Sequence, residues 1–355
     1  MKLLYITYID FGNLSSGSNV RPQKIYDAMV ENGVDVHLVE TQQNRYAERT
    51  KAVKEALRWV KNNDFDACYV ELPSGPIFNF ADIRLLKAVD KKGVPIHVFY
   101  RDAYWLLAKD FVGGKSLKNT VIEALQKRDL RVYKKAVDLF YMPSNKCIEE
   151  FSRYYRFDDM RALPPGSDDV NEGEYKVTNT GIYVGGSTKP YGVDILIEAY
   201  KMVNKGTDKY KLIIITREGE LKEEEKLLAQ NPWLSVQHVS GKEKLRKYYS
   251  MADCAFLPQR KSRYLDLSFG VKLFEYISYG LPIIVNDLYE MKKFVLDNKM
   301  GIAYNETPEE LAAAIEKFYS SDKQFEYHEN SVTACKNNSW KERALTIIED
   351  FGQGK

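Results

Sequence analysis

Short, β-rich apolar runs return along this chain at intervals filled by helical periodicity, and that alternation constrains the fold more than any other feature. Five come first: LLYITYI (3–9), VDVHLVE (34–40), ACYVEL (67–72), PIHVFY (95–100) and LFYMPS (139–144). Runs this continuously apolar suit strands covered on both faces, and the helical intervals are long enough for βαβ crossovers. The series stops in RALPPGSDDVNEGEYKVTN, where prolines, glycines and charges mark a break at about 164–179. Six more runs follow: GIYVGG (181–186), KLIIIT (211–216), SVQHVS (235–240), CAFLPQ (254–259), PIIVND (282–287) and GIAYN (301–305). The pattern predicts an α/β fold of two doubly wound parallel-sheet domains in tandem. The first spans 1–165, a linker 166–180, the second 181–337, and a C-terminal helix and tail 338–355, with Ala344, Ile347, Ile348 and Phe351 at helical spacing. A length of 355 residues agrees with two domains of roughly 100–200 residues each.

Charge and cysteine usage narrow the function classes. Lys and Arg number 52 against 50 Asp and Glu, so no surplus exists to hold a polyanion by charge alone, and nucleic acid is not an expected partner. Cys68, Cys147, Cys254 and Cys335 lie far apart with no C-x-x-C spacing, and His37, His97, His238 and His328 fall one per region. Neither a metal site nor a disulfide framework is expected, and reduced thiols suit a cytoplasmic setting. The opening MKLLYITYIDFGN meets Asp10 and Gly12 too early for a signal peptide, and no run approaches the ~18 apolar residues of a membrane span.

Three segments carry chemistry. The first strand runs into a Gly/Ser loop, with Gly12, Ser16, Gly17 and Ser18 ahead of Arg21 and a helical pattern; such a loop gathers backbone N–H groups for a phosphate or sugar hydroxyls, or is an ordinary βα turn. The fourth strand ends in HVFY followed by Arg101 and Asp102, placing a carboxylate at the carboxyl edge of a parallel sheet, as a general base or as a helix N-cap. The densest constellation is QRKSRYLDLSFGVKLFEYISYGLPI (259–283). There Gly270, Val271 and Lys272 open a helix whose amino end suits a diphosphate, and Glu275 lies at i+3 from Lys272, placed to accept from vicinal hydroxyls such as a ribose diol. The plain alternative is a surface Lys–Glu pair. Between 103 and 135, Tyr104, Trp105, Leu106, Leu107 and Phe111 interleave with lysines and arginines, a composition that allows a peripheral membrane contact.

These residues resemble a known family. GVKLFEYISYGLPIIV, together with YVGG…YGVDILIEAY (183–200), MADCAFLPQR (251–260) and LPPGSDD (163–169), looks like a GT-B fold glycosyltransferase of the family 4 (group 1) kind. The resemblance implies two Rossmann-like domains facing a cleft, with the C-terminal helix packing back across. It implies metal-independent transfer, no cofactor, a UDP- or GDP-linked sugar as donor and a saccharide or lipid-linked saccharide as acceptor, in polysaccharide or glycoconjugate synthesis at the inner face of a membrane. By the same resemblance Glu275 holds the ribose, Gly270, Val271 and Lys272 the diphosphate, Asp102 stands where relatives carry an HD pair with Arg101 replacing the histidine, and Ser16, Gly17 and Ser18 match the glycine-rich loop. The chain departs from the family at three positions. Leu267, with Asp266 beside it, stands where E-x7-E has its first glutamate, so the donor-sugar region runs through Asp266, Leu267, Ser268 and Phe269; Gly186 and Tyr191 replace a basic pair. Lys189, Arg217 and Arg263 are the candidates to supply the missing charge. Two other readings stay open: a catalytically silent subunit that binds a glycan or a partner transferase, and a nucleotide-sugar epimerase, which needs acidic and histidine residues converging on one site.

Overall fold

The computed structural model describes residues 1–12, 17–101, 103–107, 116–171, 173–221 and 231–353. The chain divides into two compact units, Met1–Pro165 with Trp340–Lys355, and Gly166–Ser339.

In unit 1 the strands β1 (Lys2–Thr7), β2 (Asp35–Val39), β3 (Ala67–Glu71), β4 (Ile96–Phe99), β5 (Leu139–Met142) and β6 (Met160–Ala162) form one parallel sheet in the order β2-β1-β3-β4-β5-β6. The strands β3, β4 and β5 are buried at every position, which is why their sequences read as unbroken apolar runs. β6 has no such signal: it is three residues, MRA, half-buried at the sheet edge. Helices α1 (Gly17–Glu31), α2 (Tyr46–Asn62), α3 (Phe80–Lys91), α4 (Tyr104–Leu107), α5 (Leu117–Ala136) and α6 (Asn145–Ser152) connect them.

Unit 2 repeats the plan with β7 (Thr180–Val184), β8 (Lys211–Ile215), β9 (Leu234–Gln237), β10 (Cys254–Leu257), β11 (Ile283–Asn286) and β12 (Gly301–Tyr304), ordered β12-β11-β10-β7-β8-β9 and parallel throughout. Its described helices are α7 (Val193–Val203), α8 (Lys242–Tyr249), α9 (Val271–Ile277), α10 (Tyr289–Asp297), α11 (Pro308–Ser320) and α12 (Gln324–Asn337). All four cysteines are free thiols and buried. No helix among the described residues is long and apolar enough to cross a membrane.

The segment expected to be a linker is laced onto unit 2. The Ser167 amide donates to Asn338 O at 2.8 Å, the Asn171 amide to Ser278 O at 2.7 Å and the Tyr175 hydroxyl to Asp253 O at 2.7 Å. Backbone groups paired in this way hold the segment as part of a domain.

The last helix, α13 (Trp340–Gln353), belongs to unit 1 and packs along α1. Trp340, Ala344, Ile347 and Phe351, spaced at four, three and four residues, share one core with Leu3, Tyr5, Ile25 and Met29. Asp350 accepts hydrogen bonds from the Tyr141 hydroxyl and the Arg161 guanidinium. His97 lies flat on Phe351, ring centroids 3.6 Å apart. Burial, with Arg161 nearby, pushes the pKa of His97 down to about 4. A base that resists protonation only when folded contributes stability that is complete above its unfolded pKa and is lost as pH falls from about 6.5 towards 4. Unit 1 is therefore expected to lose about 1 kcal/mol per pH unit across that window, and His97→Phe, which keeps the stacked ring, to flatten the dependence in pH-resolved denaturant titrations. An unchanged slope in the variant would assign the acid lability elsewhere.

Candidate functional site

In the sheet of unit 2 the strand order reverses between β7 and β10, and the loops leaving their carboxyl ends border the crevice where open α/β sheets take ligands. The two loops touch. Gly192, which opens α7 at φ +69°, lies so close to the other loop that a Cβ there would stand 1.8 Å from the Pro258 carbonyl oxygen. Glycine is required by both the left-handed backbone and the contact. Gly192→Ala is expected to cost about 2–4 kcal/mol in equilibrium unfolding, from backbone strain and overpacking together. A loss below about 0.5 kcal/mol would mean that the loops separate without cost.

The segment after Pro258 leads to α9, which brings Lys272 and Glu275 to this edge. The Tyr276 hydroxyl accepts the Val184 amide at 2.9 Å and so seats the helix against the end of β7. On the same helix the Lys272 ammonium donates to Glu275 Oε2 at 2.6 Å, and the Tyr249 hydroxyl, from α8, donates to Glu275 Oε1 at 2.7 Å. Burial, with Glu275 beside it, pushes the Tyr249 hydroxyl well above its ordinary range and keeps it a donor. Its ring stacks on Tyr279 at 4.4 Å. Both Glu275 oxygens are thus oriented while the side chain stays 29% exposed, enough for a ligand to reach it. Gly270 caps the helix with no side-chain acceptor of its own.

Around this carboxylate the expected residues divide. Lys189, Arg217 and Arg263 are exposed on the loops that follow β7, β8 and β10. The Tyr191 ring lies over Gly186, close enough that a Cβ there would meet it at 2.9 Å; the two residues standing in for a basic pair pack on one another. Leu267, expected in the donor-sugar region, is buried at 3% exposure. Phe269 packs edge-on against Phe274 and Phe294. The Asp266 carboxylate accepts the Tyr289 amide at 3.1 Å and caps α10, and Ser268 is half-buried.

One residue here carried no signal in the sequence. Glu220 Oε2 accepts the Ser187 amide at 2.7 Å, the Ser187 hydroxyl at 3.0 Å and the Thr216 hydroxyl at 2.6 Å, joining the loops after β7 and β8. Burial opposes its ionisation, but the Thr216 and Ser187 donors outweigh that and hold the carboxyl below its ordinary range.

In unit 1, Ser16 and Asp102 lie outside the described residues, and Gly17 and Ser18 open α1. Arg21 is not a ligand contact reaching from the Gly/Ser loop. It is 4% exposed, with Nε 3.0 Å from Glu71 Oε1, Nη1 donating to the Leu163 and Pro164 carbonyls, and the Phe99 ring 3.5 Å below the guanidinium. Tyr69 also donates to Glu71, at 2.8 Å, and Arg101 stands 3.8 Å from its other oxygen. Arg343, on α13, donates to Pro165 O; burial and the neighbouring Arg21 charge push it down to about 10. Trp105 and Leu106, expected to meet a bilayer, are buried, and the Trp105 indole donates to the Tyr100 hydroxyl at 2.8 Å.

The histidines do not converge. His37 stacks on Trp59, His97 on Phe351, His238 Nδ1 lies 3.4 Å from Thr216 O, and His328 Nδ1 lies 2.7 Å from Gly280 O. The chain's Asp-x-Asp triplet, Asp64–Asp66, sits at the amino edge of the first sheet, where Asp66 accepts the Lys2 amide. No cluster of three or more metal-ligating side chains occurs among the described residues.

Residues 168–338 match the family described as glycosyl transferases group 1. No curated protein matches the chain in sequence. Among solved structures the chain is similar to sucrose-phosphate synthase from Thermosynechococcus elongatus, at 14% identity and a TM-score of 0.68, covering 99% of both chains. It is similar to WaaG, a glycosyltransferase involved in lipopolysaccharide biosynthesis, at 15% identity and 0.65, covering 99% of this chain and 100% of that one. Anabaena HepE in complex with UDP matches at 13% identity and 0.66, again over 99% and 100%. At such identities the likeness is one of fold, and the fold is GT-B.

Proposed function

We propose that the chain transfers a sugar from a nucleotide-diphosphate donor, held by unit 2, to a saccharide acceptor or lipid-linked saccharide held by unit 1; the match of residues 168–338 to the group 1 glycosyl transferases and the GT-B fold support this. One observation carries this reading: a partly exposed carboxylate, Glu275, held by Tyr249 and Lys272 at the switch point of the matched domain. A carboxylate with both oxygens oriented and lone pairs to spare accepts from the two hydroxyls of a ribose. Lys272 sits one turn before it, and Lys189, Arg217 and Arg263 line the neighbouring loops, so positive side chains meet the charge that builds on the departing diphosphate and no metal is called for. A UDP- or GDP-linked donor satisfies the same contacts.

In this reading Asp102 takes the proton from the acceptor hydroxyl if the reaction inverts, and positions acceptor hydroxyls if it retains. Asp102→Ala is expected to abolish sugar transfer, followed by mass spectrometry of the acceptor, while nucleotide affinity stays near wild type. Transfer at the wild-type rate would remove Asp102 from the reaction.

A second reading has its own support. Leu267 is buried at the position where the family resemblance implies a donor-sugar glutamate, and Gly186 and Tyr191 pack together where it implies a basic pair. These substitutions fit a silent GT-B subunit that binds glycan or a partner transferase. It is distinguished by nucleotide affinity without turnover across donors and acceptors.

A further inference from the structure

The second half of α5 and the turn after α6 border an open cavity of about 210 Å³ in unit 1. That is below the ~300–1,000 Å³ of drug-sized pockets and leaves room for a single ring. Its lining brings four cations together, Lys127, Arg131, Lys134 and Arg156, with no carboxylate among them. The Lys127 ammonium is held by Glu123 at 2.7 Å. Arg131, Lys134 and Arg156 make no ion pair among the described residues, although Lys146 and Arg153 on neighbouring α6 and its turn both pair with Glu149. All three side chains are exposed, and an anion seated among them meets positive charge from several sides.

The wall between the cations is aromatic and fixed from behind. Phe157 is buried and stacks on Phe140 with centroids 4.0 Å apart. Tyr155 leans on Phe151 at 5.8 Å and on Trp105 at 6.0 Å.

We propose that this cavity is a binding subsite for one anionic sugar ring, bearing a carboxylate or a phosphate, within the acceptor saccharide. The proposal rests on unit 1 being the acceptor-side unit. The aromatic wall takes the C–H face of the ring. The Arg131 and Arg156 guanidiniums offer forked donors that match the two oxygens of a carboxylate or phosphate, and Lys134 adds a point charge. Such a subsite sets which acceptors are used, favouring acidic saccharides over neutral ones.

The test is calorimetry of the full chain with a short oligouronate, glucose 6-phosphate, a neutral malto-oligosaccharide of equal length, and phosphatidylglycerol vesicles. Wild type, Arg131→Ala/Arg156→Ala and Tyr155→Ala are compared, with melting temperature as the control for folding. One or both anionic sugars are expected to bind wild type, about tenfold or more weaker to the double variant and weaker to Tyr155→Ala, and the neutral sugar to bind poorly throughout. Four results overturn the proposal: no affinity for either anionic sugar, affinity untouched by the substitutions, equal affinity for the neutral sugar, or vesicle binding that alone depends on Arg131 and Arg156. Nucleotide-induced thermal shifts in the same proteins separate this from the transferase reading. Oligouronate binding with no nucleotide shift retains the subsite and removes the donor site, and the converse removes the subsite alone.

Discussion

Glu275→Ala is expected to weaken the preferred nucleoside diphosphate by about 10–100-fold, because each hydrogen bond to a charged acceptor is worth about 1.5–3 kcal/mol once its partner cannot be replaced by water. The loss should fall on the ribose and not on the phosphates. Wild type should bind the 2′,3′-dideoxy analogue as weakly as the variant binds the natural nucleotide, and the variant should not distinguish the two. Calorimetry on that square of two proteins and two ligands isolates the contact. Lys272→Ala frees one Glu275 oxygen and removes a cation, so its loss should fall on the diphosphate, with affinity for the bare nucleoside nearly unchanged. Equal losses for natural and dideoxy nucleotides in Glu275→Ala would place the ribose elsewhere.

Glu71→Ala is expected to cost unit 1 about 3–5 kcal/mol, a size seen when one partner of a buried ion pair is removed. Its side chain is fully buried and answers two guanidiniums, Arg21 at 3.0 Å and Arg101 at 3.8 Å, with the Tyr69 hydroxyl donating to the same oxygen as Arg21. Without it Arg21 stays over the Phe99 ring, buried and uncompensated. The paired change Arg21→Met/Glu71→Met should be much milder, because well-packed apolar side chains replace a buried ion pair at little net cost. Denaturant titration of the three proteins decides it. A cost near zero for Glu71→Ala would mean that water reaches Arg21 when the carboxylate is removed.

Strand runs such as ACYVEL and CAFLPQ were legible because burial on both faces writes itself into consecutive residues. β6 was not, since an edge strand of three half-buried residues needs no apolar run. The Lys272–Glu275 pair could be read from helical spacing, whereas Tyr249, which orients the other oxygen, lies 26 residues away and is brought in by α8 packing. Glu220 and Ser187 meet across 33 residues through the carboxyl ends of adjacent strands. Arg21 was misread for the same reason: next to a Gly/Ser loop it suggested a phosphate contact, but its partner is 50 residues on, at the end of β3. Trp105 and Leu106 look amphipathic beside lysines, yet local composition does not say which face the core takes. The linker residues read as loop by composition, and their ties to Asn338, Ser278 and Asp253 depend on elements 75 to 171 residues distant.

In the proposed function, unit 2 holds a nucleotide-diphosphate sugar on Glu275 and Lys272. The most direct measurement is a thermal-shift series of the full chain against nucleoside diphosphates and their sugar conjugates, run beside Glu275→Ala. A ligand bound only by the native state raises the melting temperature by mass action. A rise is expected with one base, larger for its diphosphate than for the nucleoside, and absent in the variant. No rise with any nucleotide, or a rise that survives Glu275→Ala undiminished, would contradict it.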